Sequence, residues 1–392
     1  MKIHEFQAKH LLGRFDIPVP LGQVATTPAE AEGIARRLGC ARYAVKSQVL
    51  AGDRGATGGI AFATTPAEVA RTAAQLLGRR LVTSQTGPSG ALVHQVYVEE
   101  AIDTAQQLYA AVTLEAGRVV LLASASGGED IETRAASDPA AVRRVPVKLA
   151  GGKPEADFEK LASAITGAPT LATSLAALLR NLALALVALD ATLIEINPLA
   201  ITPQGRLIAL DAKMIIDDNA LFRRPELAAL RHANEAQDTD PAELEAQRYQ
   251  LNYVGLDGNI GVAVNGAGLA LATLDMIVDA GGRPANFMDI RTTASSLDIA
   301  HGFTLLLKNP RTKAILVNVH GGGMQRCDTI AEGLGVALRR GARSLPIVIH
   351  MAGNNADFAR TVLANNGVNY IGVDDMAEAA RRVVGLVRQE AA

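Results

Sequence analysis

Cysteine is nearly absent from this chain, which has only Cys40 and Cys327 among its 392 residues, so a fold held together by disulfides is excluded. An excess of one charge is also lacking, because 38 Lys and Arg residues face 40 Asp and Glu residues. No global field would therefore attract nucleic acid or an anionic membrane surface. The N-terminus has no apolar signal core, and no uninterrupted apolar run approaches the ~18 residues of a membrane span. We expect a cytoplasmic, reduced protein whose anionic ligands are held by local sites.

The rest of the composition is that of an ordinary globular protein. Apolar residues make up 49% of the chain and charged residues 20%, and the 36 glycines and 16 prolines follow no short repeat. This composition excludes fibrous and disordered chains. At roughly 150 residues per domain, the length is enough for two or three domains, each with its own hydrophobic core.

Short helices and strands alternate in the first half of the chain. Thr27 and Thr65 each precede a Pro-Ala-Glu segment, which is typical of a helix N-terminus with a capping box. Residues 43–49 alternate with period two, as in a strand, and residues 58–63 form a second strand after the glycine-rich loop 51–57. Further strands are predicted at 92–99, 108–114, 119–123, 192–196 and 207–211, with a helix at 171–189. This half is therefore predicted to be mixed α+β.

A change of composition separates the two halves. Residues 231–248 are polar and charged, which indicates a linker or a solvated helix. The expected parts are a first domain at 1–235, a linker at 236–254 and a second domain at 255–392. In the second domain a strand, a small-residue loop and a helix follow one another three times, with loops that begin at Asn265, His320 and Met351. This alternation favours an α/β fold with a doubly wound parallel sheet that binds ligands at the carboxyl ends of its strands.

Two sets of polar residues in the first half have patterns suited to phosphate and metal. Lys46 lies in an apolar strand just before the glycine-rich loop, where an ammonium group and loop amides can reach the same phosphate. The alternative is a solvated strand lysine. Glu195 and Asn197 end one strand and Asp211 ends the next; such oxygen ligands suit Mg²⁺, which keeps several waters. The alternative here is polar strand ends that face water.

Ten sequence blocks, in order along essentially the whole chain, resemble the β subunit of succinyl-CoA synthetase and its ADP-forming acid-CoA ligase relatives, such as malate-CoA ligase. The blocks are HEFQAKHLL, VKSQVLAGDRG, GRRLVTSQTG, LIEINPLAIT, LDAKM, DDNALFRRPEL, NYVGLDGNIG, NGAGLA, PANFMDI and the RCD at 326–328. The resemblance implies an ATP-grasp first domain, with a small lobe at about 21–101, followed by a flavodoxin-like CoA-ligase domain. This fold class agrees with the organisation described above.

The resemblance also implies roles for individual residues. The residues expected to contact the nucleotide are Lys46, Asp53, Arg54, Gly55, Glu99, Ile102 and Gln107. Of these, Glu99 and the segment near Ile102 would line the adenosine pocket. Mg²⁺ would bind Asn197 and Asp211, and Glu195 would face the phosphoryl acceptor, so that Glu195 and Lys46 are the expected catalytic residues. The acid substrate would lie among Asn265, Arg291, Gly322, Gly323, Met324 and Arg326.

A partner subunit is part of what the resemblance implies. The phosphoryl acceptor is a histidine of a separate α subunit, which also binds CoA, and this chain shows no dinucleotide-type CoA module of its own. ATP or GTP would phosphorylate that histidine, the phosphohistidine would phosphorylate a small carboxylic acid, and the CoA thiolate would displace phosphate. We therefore expect a heteromer, αβ or α2β2.

Several residues depart from the family pattern. Asp53 replaces a glycine of the phosphate loop, where its charge either weakens nucleotide binding or is turned outward, and Gln107 stands where the family has an acidic nucleotide contact. Three glycines of the ligase domain are replaced by residues 291–293, Arg-Thr-Thr, and the loop that ends at Arg326 is one residue longer than in the family. We expect a rebuilt acid pocket for a small dianion that need not be succinate.

The residues of this rebuilt region have alternative interpretations. Arg291 is a bidentate donor for a carboxylate or sulfonate, or a surface arginine that fills the space left by glycine. His320 is a donor to the acid or a structural histidine. Cys327 begins a helix, where a thiolate is favoured, but the match to the family's RCD favours a packing role.

Three hypotheses for the function are open at this stage. The leading one is the β subunit of an ADP-forming acid-CoA ligase. A second keeps the ATP-grasp fold but uses an amine or another acceptor, and it predicts activity without an α subunit. A third is a non-catalytic subunit that stabilises or regulates a partner, as Asp53 and Gln107 permit, although Lys46, Glu195, Asn197 and Asp211 argue against it.

Overall fold

The computed structural model describes residues 1–86, 90–128, 131–238, 240–341 and 343–389. They divide into two compact units, Met1–Asp238 and Thr239–Ala392.

The first unit contains two main antiparallel sheets. Its strands are β1 (Lys2–Ile3), β2 (Gly22–Ala25), β3 (Tyr43–Ser47), β4 (Ile60–Ala63), β5 (Arg80–Leu81), β6 (Ala91–Leu92), β7 (Val96–Glu100), β8 (Gln106–Glu115), β9 (Arg118–Ser124), β10 (Arg143–Ala150), β11 (Lys153–Glu155), β12 (Ala191–Ile201), β13 (Leu207–Ala209) and β14 (Ala212–Ile216). The larger sheet has the order β1-β14-β12-β8-β9-β10-β11, with β13 on β12, and the smaller one the order β2-β7-β3-β4. Strands β5 and β6 form a separate pair.

Seven helices are described in the first unit. They are α1 (Glu5–Gly13), α2 (Pro28–Leu38), α3 (Pro66–Leu76), α4 (Ile131–Ser137), α5 (Phe158–Ile165), α6 (Pro169–Ala188) and α7 (Pro225–Asp238), and short 3-10 turns span Pro139–Ala141 and Asp218–Arg223. The threonine caps are confirmed, because the hydroxyls of Thr27 and Thr65 accept from the third helical N–H. The carboxylates of Glu30 and Glu68 reach one residue further back than expected and accept from the backbone N–H groups of Thr26 and Thr64.

Helix α6 lies in the main core of the first unit. Its length and composition would suffice for a membrane span, but half of its most apolar stretch is buried inside the protein. Its buried leucines join one hydrophobic cluster with residues of α1 and of the larger sheet, such as Leu12 and Ile194. We interpret α6 as a core helix that supports the sheet carrying Glu195 and Asn197.

The second unit is a doubly wound sheet. Its strands are β15 (Leu251–Gly255), β16 (Ile260–Val264), β17 (Asn286–Ile290), β18 (Ala314–Gly321), β19 (Ile347–Gly353) and β20 (Ile371–Val373), in the order β15-β17-β16-β18-β19-β20. Its helices are α8 (Pro241–Arg248), α9 (Ala267–Asp279), α10 (Ser296–Lys308), α11 (Cys327–Arg340), α12 (Ala356–Asn365) and α13 (Met376–Gln389). All neighbouring strands are parallel except β15 and β17.

Hydrophobic cores on two sides of this sheet explain the strand composition. Helices α10, α11 and α12 contribute to one cluster and α9 and α13 to the other. Because side chains of a strand alternate between faces, central strands covered on both faces are apolar throughout; β16 is fully buried. The predicted fold class is confirmed.

The predicted linker at 236–254 is wrong over most of its length. Residues 241–248 form α8 and residues 251–255 form β15. Ala246 and Leu251 are fully buried in the core of the second unit, which explains why this polar stretch is ordered. The described polar residues of the segment are exposed or half-buried, so its composition resembles that of a linker.

Candidate active site

A pocket of about 570 Å³ lies in the first unit, where the β3–β4 loop faces the larger sheet. It collects most of the first-unit residues predicted to bind nucleotide, metal or acceptor: Lys46, Asp53, Arg54, Gly55, Gln107, Glu195, Asn197 and Asp211. These residues come from segments far apart in the chain. The residues predicted to bind nucleotide, metal and acceptor therefore line one pocket.

The Lys46 ammonium group is buried at the wall of this pocket. Its Nζ lies 3.0 Å from Glu5 Oε1 and 2.7 Å from Glu99 Oε1, and it donates to the carbonyl oxygen of Leu210 at 2.6 Å. Burial alone lowers the pKa of Lys46, but Glu5, Glu99 and Asp211 outweigh burial and raise it. Lys46 is therefore a permanent cation, and the interpretation as a solvated strand lysine is wrong.

Helix α1 supplies a second buried ion pair behind Lys46. The Lys9 side chain is only 1% exposed, and its Nζ lies 2.7 Å from Glu5 Oε1 and 2.6 Å from Glu99 Oε2. Burial alone would raise the pKa of Glu5, but Lys46, Lys9 and Arg54 hold it well below its usual value. Glu5 is thus anionic inside the protein, and Glu99 shares the same two lysines.

Arg54 connects this buried charge to the predicted metal ligand. Its Nη2 lies 2.7 Å from Glu5 Oε2 and 2.7 Å from Asp211 Oδ2, and its Nη1 donates to the Ser47 carbonyl oxygen at 2.8 Å. Burial alone lowers the pKa of Arg54, but Asp211 and Glu5 raise it. The guanidinium is buried whereas the Asp211 side chain is 30% exposed, so Asp211 is the member of the pair that a solute can reach.

The two predicted metal ligands are neighbours. The backbone N–H of Asn197 donates to the Asp211 carbonyl oxygen at 3.2 Å. The Asn197 side chain is oriented by Gly128, which donates to Oδ1 at 2.7 Å and accepts from Nδ2 at 3.1 Å. Within the described part of the chain no three His, Cys, Asp or Glu residues are grouped to hold a metal. A carboxylate and an amide oxygen at an open pocket fit Mg²⁺, which takes few protein ligands and completes its shell with water and phosphate.

Glu195 lies beside this pair. It is opposite Lys213 in the β12–β14 register, and both residues line the pocket. The predicted strand end at Glu195 and Asn197 is wrong, because both residues lie within β12, whereas Asp211 lies between β13 and β14. All three line the pocket, as the metal hypothesis requires.

Asp53 and Gln107 occupy the rim of the pocket. Asp53 has a φ of 59°, a left-handed conformation that suits glycine and is tolerated by aspartate. Its Oδ2 accepts a hydrogen bond from the Ser84 hydroxyl, so the carboxylate is partly turned toward the 83–86 segment. Gln107 is exposed, and its backbone carbonyl oxygen accepts a hydrogen bond from the Gly127 N–H at 2.9 Å.

The structure separates the two residues predicted to line the adenosine pocket. Ile102 lines a second pocket of about 690 Å³ in the first unit, together with Pro20, Leu21 and Glu100. Glu99 is buried, and its carboxylate contacts Lys9 and Lys46 instead. Residues 99–102 therefore run from the buried charges to this second pocket.

In the second unit, the residues predicted to bind the acid lie on loops at the carboxyl ends of β16, β17 and β18. The Asn265 side chain joins two of these ends, because Nδ2 donates to the His320 carbonyl oxygen at 2.7 Å and Oδ1 accepts from the His320 N–H at 2.9 Å. Gly322 donates its N–H to Gln325, which closes a turn that leaves Gly322, Gly323 and Met324 exposed.

Arg291 and Arg326 each contact a side chain of the protein. Arg291 donates from Nε at 2.9 Å and from Nη2 at 2.7 Å to Asn252 Oδ1 on β15. Arg326 Nη2 lies 3.2 Å from Asp328 Oδ2. Both guanidinium groups are exposed and each is fixed by one protein partner.

Cys327 has the packing role. It is fully buried, its thiol donates to the Ala352 carbonyl oxygen at 3.3 Å, and burial raises its pKa. A reactive thiolate at this helix start is therefore not favoured.

The sequence alone does not reveal Glu5 and Lys9 as site residues. They are spaced four residues apart on α1, a spacing that usually marks an exposed helix pair. Their burial depends on β3, β7 and the glycine-rich loop, which approach them only in the folded unit. The HEFQAKHLL block that contains them carried the resemblance but no assigned role.

Comparisons with known proteins agree over the whole chain. The family model of an ATP-grasp domain matches residues 2–201, and that of a CoA-ligase matches residues 263–384. The chain is 44% identical over 390 residues to the β subunit of succinate–CoA ligase [ADP-forming] from Anaeromyxobacter sp. (strain K), covering 99% of this chain and 100% of that protein. It is also 44% identical over 387 residues to the same subunit from Burkholderia lata, covering 98% of each.

A solved structure shares the fold. ATP citrate lyase from Methanothrix soehngenii, in complex with citrate and coenzyme A, superposes with a TM-score of 0.74 at 16% identity and covers 99% of both chains.

The depressed pKa of Glu5 predicts how this unit responds to acid. Glu5 takes up a proton at a lower pH in the folded chain than in the unfolded chain. The ion pairs of Glu5 therefore stabilise the fold fully above its usual pKa of about 4.5. Their contribution is lost as the pH falls through the folded pKa. We expect Glu5→Gln to lower the free energy of unfolding by about 3–5 kcal/mol at neutral pH, and the difference from wild type to shrink below about pH 4.5.

Urea unfolding followed by circular dichroism measures this difference. Glu32→Gln is the matched control, since Glu32 pairs with Arg36 on the exposed face of α2 and exposed pairs contribute little. A difference between wild type and Glu5→Gln that stays constant down to pH 3 would contradict the prediction.

Proposed function

Because the chain belongs to the family of β subunits of ADP-forming succinate–CoA ligases, we propose that its first unit uses a nucleoside triphosphate to phosphorylate a histidine of a partner α subunit. The phosphohistidine then phosphorylates a small dianionic acid, and the CoA thiolate displaces phosphate to give the acyl-CoA. The naming of the relatives as β subunits supports the need for a partner, which in this proposal also carries the CoA site. The assembly is αβ or α2β2, and its location is the cytoplasm.

The observation that carries the proposal is the convergence of two buried cations with two oxygen ligands in one pocket. Lys46 and Arg54 line the pocket as permanent cations, and Asp211 and Asn197 lie beside them. Phosphoryl transfer depends mainly on positioning and charge neutralisation. This chain therefore supplies the parts of the site that such a transfer needs, without a nucleophile of its own.

Each pocket residue then has a defined task. Lys46 and the loop at Asp53, Arg54 and Gly55 bind and orient the phosphates. Asp211 and Asn197 would hold Mg²⁺, which when bound neutralises charge on the phosphate oxygens. Glu195 accepts the N–H of the entering imidazole and so fixes the tautomer that presents its other nitrogen to the phosphoryl group.

The second pocket suits the nucleoside. It is lined by apolar residues such as Pro20, Leu21, Ile102 and Leu207, and ligand sites for a flat base are mostly apolar with few polar groups. Strand β7 runs between it and the first pocket, which we call the phosphate pocket, because Glu100 lines the second pocket and its neighbour Glu99 contacts Lys46. Adenosine or guanosine would bind here, and Gln107 would contribute from the rim of the phosphate pocket.

The acid would bind at the carboxyl edge of the second unit's sheet. Asn265 fixes the loop after β18, and Gly322 and Gly323 in that loop leave space that a Cβ would otherwise occupy. Arg291, held by Asn252, and Arg326, held by Asp328, supply fixed positive charge for the second anionic end of the substrate. A fixed guanidinium loses little conformational entropy when it binds a carboxylate.

The metal ligand gives the first prediction from this proposal. Asp211→Asn in the complex with the α subunit should slow nucleotide-dependent phosphorylation of the partner histidine by orders of magnitude, because the variant keeps the shape but loses the charge that holds Mg²⁺. Incorporation of labelled phosphate into the α subunit at limiting Mg²⁺ measures it. Unchanged labelling would remove Asp211 from the site, and acyl-CoA formation by the isolated wild-type chain would contradict the two-subunit reaction.

The acid pocket gives a second prediction. A site that hydrogen-bonds its substrate rejects analogues without the matching group strongly, so we expect succinate to be a poor substrate relative to an acid with a different anionic or hydroxylated end. Arg291→Gly should raise KM for that acid much more than KM for ATP or CoA. The measurement is ADP release by the complex with succinate, malate, itaconate and a sulfonated acid.

Asn252→Ala is the matched variant for Arg291, because it removes the residue that holds the guanidinium but keeps the charge. It should raise KM less than Arg291→Gly does. If succinate is the best acid and Arg291→Gly leaves KM unchanged, the substitutions in this loop do not determine which acid is used.

A further inference from the structure

Six charged side chains of the first unit form one continuous set of ion pairs, which we call the charge network. Its cations are Lys9, Lys46 and Arg54, and its anions are Glu5, Glu99 and Asp211. Every adjacent pair is 2.6–3.0 Å apart. All members except Asp211 are buried, so the balance of three cations and three anions is a condition for stability.

Glu5 has a special place in the charge network, because it contacts all three cations. Oε1 lies 2.7 Å from Lys9 Nζ and 3.0 Å from Lys46 Nζ. Oε2 lies 2.7 Å from Arg54 Nη2 and accepts from Gln48 Nε2 at 3.3 Å. Each oxygen thus has two donors, and the carboxylate is fixed in position and orientation.

Only part of the charge network lines the phosphate pocket. Glu5, Lys46, Arg54 and Asp211 line the phosphate pocket, whereas Lys9 is not among its lining residues and is 1% exposed. Lys9 therefore cannot act on a ligand directly. It pairs with Glu5 and Glu99 on the side away from the pocket, so that their negative charge is offset next to a site meant for anions.

Arg54 is shared between two carboxylates. Its Nη2 contacts Glu5 and Asp211 at equal distances of 2.7 Å. If Asp211 turns to a metal ion, Arg54 loses one partner, and an unpaired buried guanidinium is costly. Glu5 remains on the other side, where the Ser47 carbonyl oxygen also holds Nη1 at 2.8 Å.

We propose that Glu5 is a positioning residue of the phosphate site, which holds Lys46 and Arg54 at the pocket wall and keeps Arg54 paired while Asp211 exchanges Arg54 for Mg²⁺. This inference rests on the proposed nucleotide function of the pocket. It assigns to α1 a direct part in coupling metal binding to nucleotide binding. Lys9 supports it by keeping Glu5 ionised.

Loss of the Glu5 charge should affect binding of the Mg²⁺–nucleotide complex and binding of the free nucleotide differently. In Glu5→Gln, Arg54 keeps Asp211 as its sole carboxylate partner, so metal binding at Asp211 leaves the guanidinium without a protein carboxylate. Nucleotide without metal meets the same cations, with one fewer negative charge behind them. Affinity should therefore fall for the Mg²⁺–nucleotide complex but not for the free nucleotide.

The test is the ratio of ADP dissociation constants in EDTA and in excess Mg²⁺, measured by equilibrium dialysis on the full chain. We expect Glu5→Gln to lower this ratio about ten-fold or more, and the exposed-pair control Glu32→Gln to leave it unchanged. A purely structural role would weaken both affinities equally and keep the ratio at the wild-type value, which would overturn the proposal.

A double variant separates positioning from charge balance. Glu5→Gln combined with Lys9→Met leaves two cations and two anions in the charge network, and it also serves if the single variant does not fold. The proposal predicts that the ratio stays low, since Arg54 still lacks its second carboxylate. Return of the ratio to the wild-type value would overturn it.

Failure of the proposed function is distinguishable in the same experiment. A wild-type chain that binds no ADP, or binds it equally with and without Mg²⁺, contradicts the function of the pocket. A wild-type chain with a clear Mg²⁺ dependence that Glu5→Gln preserves contradicts only the role of Glu5.

Discussion

The carboxylate of Glu5, buried with four donors around it, is the contact on which the phosphate pocket depends. It joins helix α1 to strand β3 through Lys46 and to the glycine-rich loop through Arg54. Removing such charges from water costs several kcal/mol for each ion, and the cost is offset only when every charge is paired. The charge network meets this condition, and Arg54 joins the glycine-rich loop to Asp211 beside the larger sheet.

This arrangement explains how cations can remain charged at the wall of the pocket. A buried lysine alone would lose its charge, and a buried arginine alone would keep its charge and destabilise the fold. Here Glu5 and Glu99 keep Lys46 charged, Glu5 and Asp211 pair with Arg54, and Lys9 offsets the charge of Glu5 and Glu99. The pocket is thus electrically balanced without a ligand, yet its wall carries the cations and its partly exposed member is the carboxylate Asp211.

Much of the fold could be predicted from the sequence. The threonine caps, the period-two strand around Lys46 and the repeated strand–loop–helix order each depend on neighbours in the chain, and each was found where expected. Inside the predicted linker, helix α8 agrees with the alternative of a solvated helix. Strand β15 was missed, because the burial of Leu251 depends on strands that are distant in the sequence. Glu5 and Lys9 were missed for the same reason, since four-residue spacing on a helix does not distinguish an exposed pair from a buried one.

The site was predictable in its residue types but not in its pairings. Lys46, Asn197 and Asp211 could be identified by pattern and resemblance, whereas the contacts of Arg54 with Asp211 and of Arg291 with Asn252 depend on side-chain geometry. Asp53 illustrates the limit of substitution arguments. Its positive φ shows that the backbone conformation suited to glycine persists, and its carboxylate is accommodated by a contact with Ser84.

A crystal structure of the full chain with Mg²⁺ and ADP tests the central claim most directly. The account predicts that the phosphates lie against Lys46 and Arg54, that Mg²⁺ contacts Asp211, and that Arg54 keeps its contact with Glu5 but no longer reaches Asp211. Arg54 still paired with Asp211 beside bound Mg²⁺ and ADP, or ADP bound outside this pocket, would contradict the account.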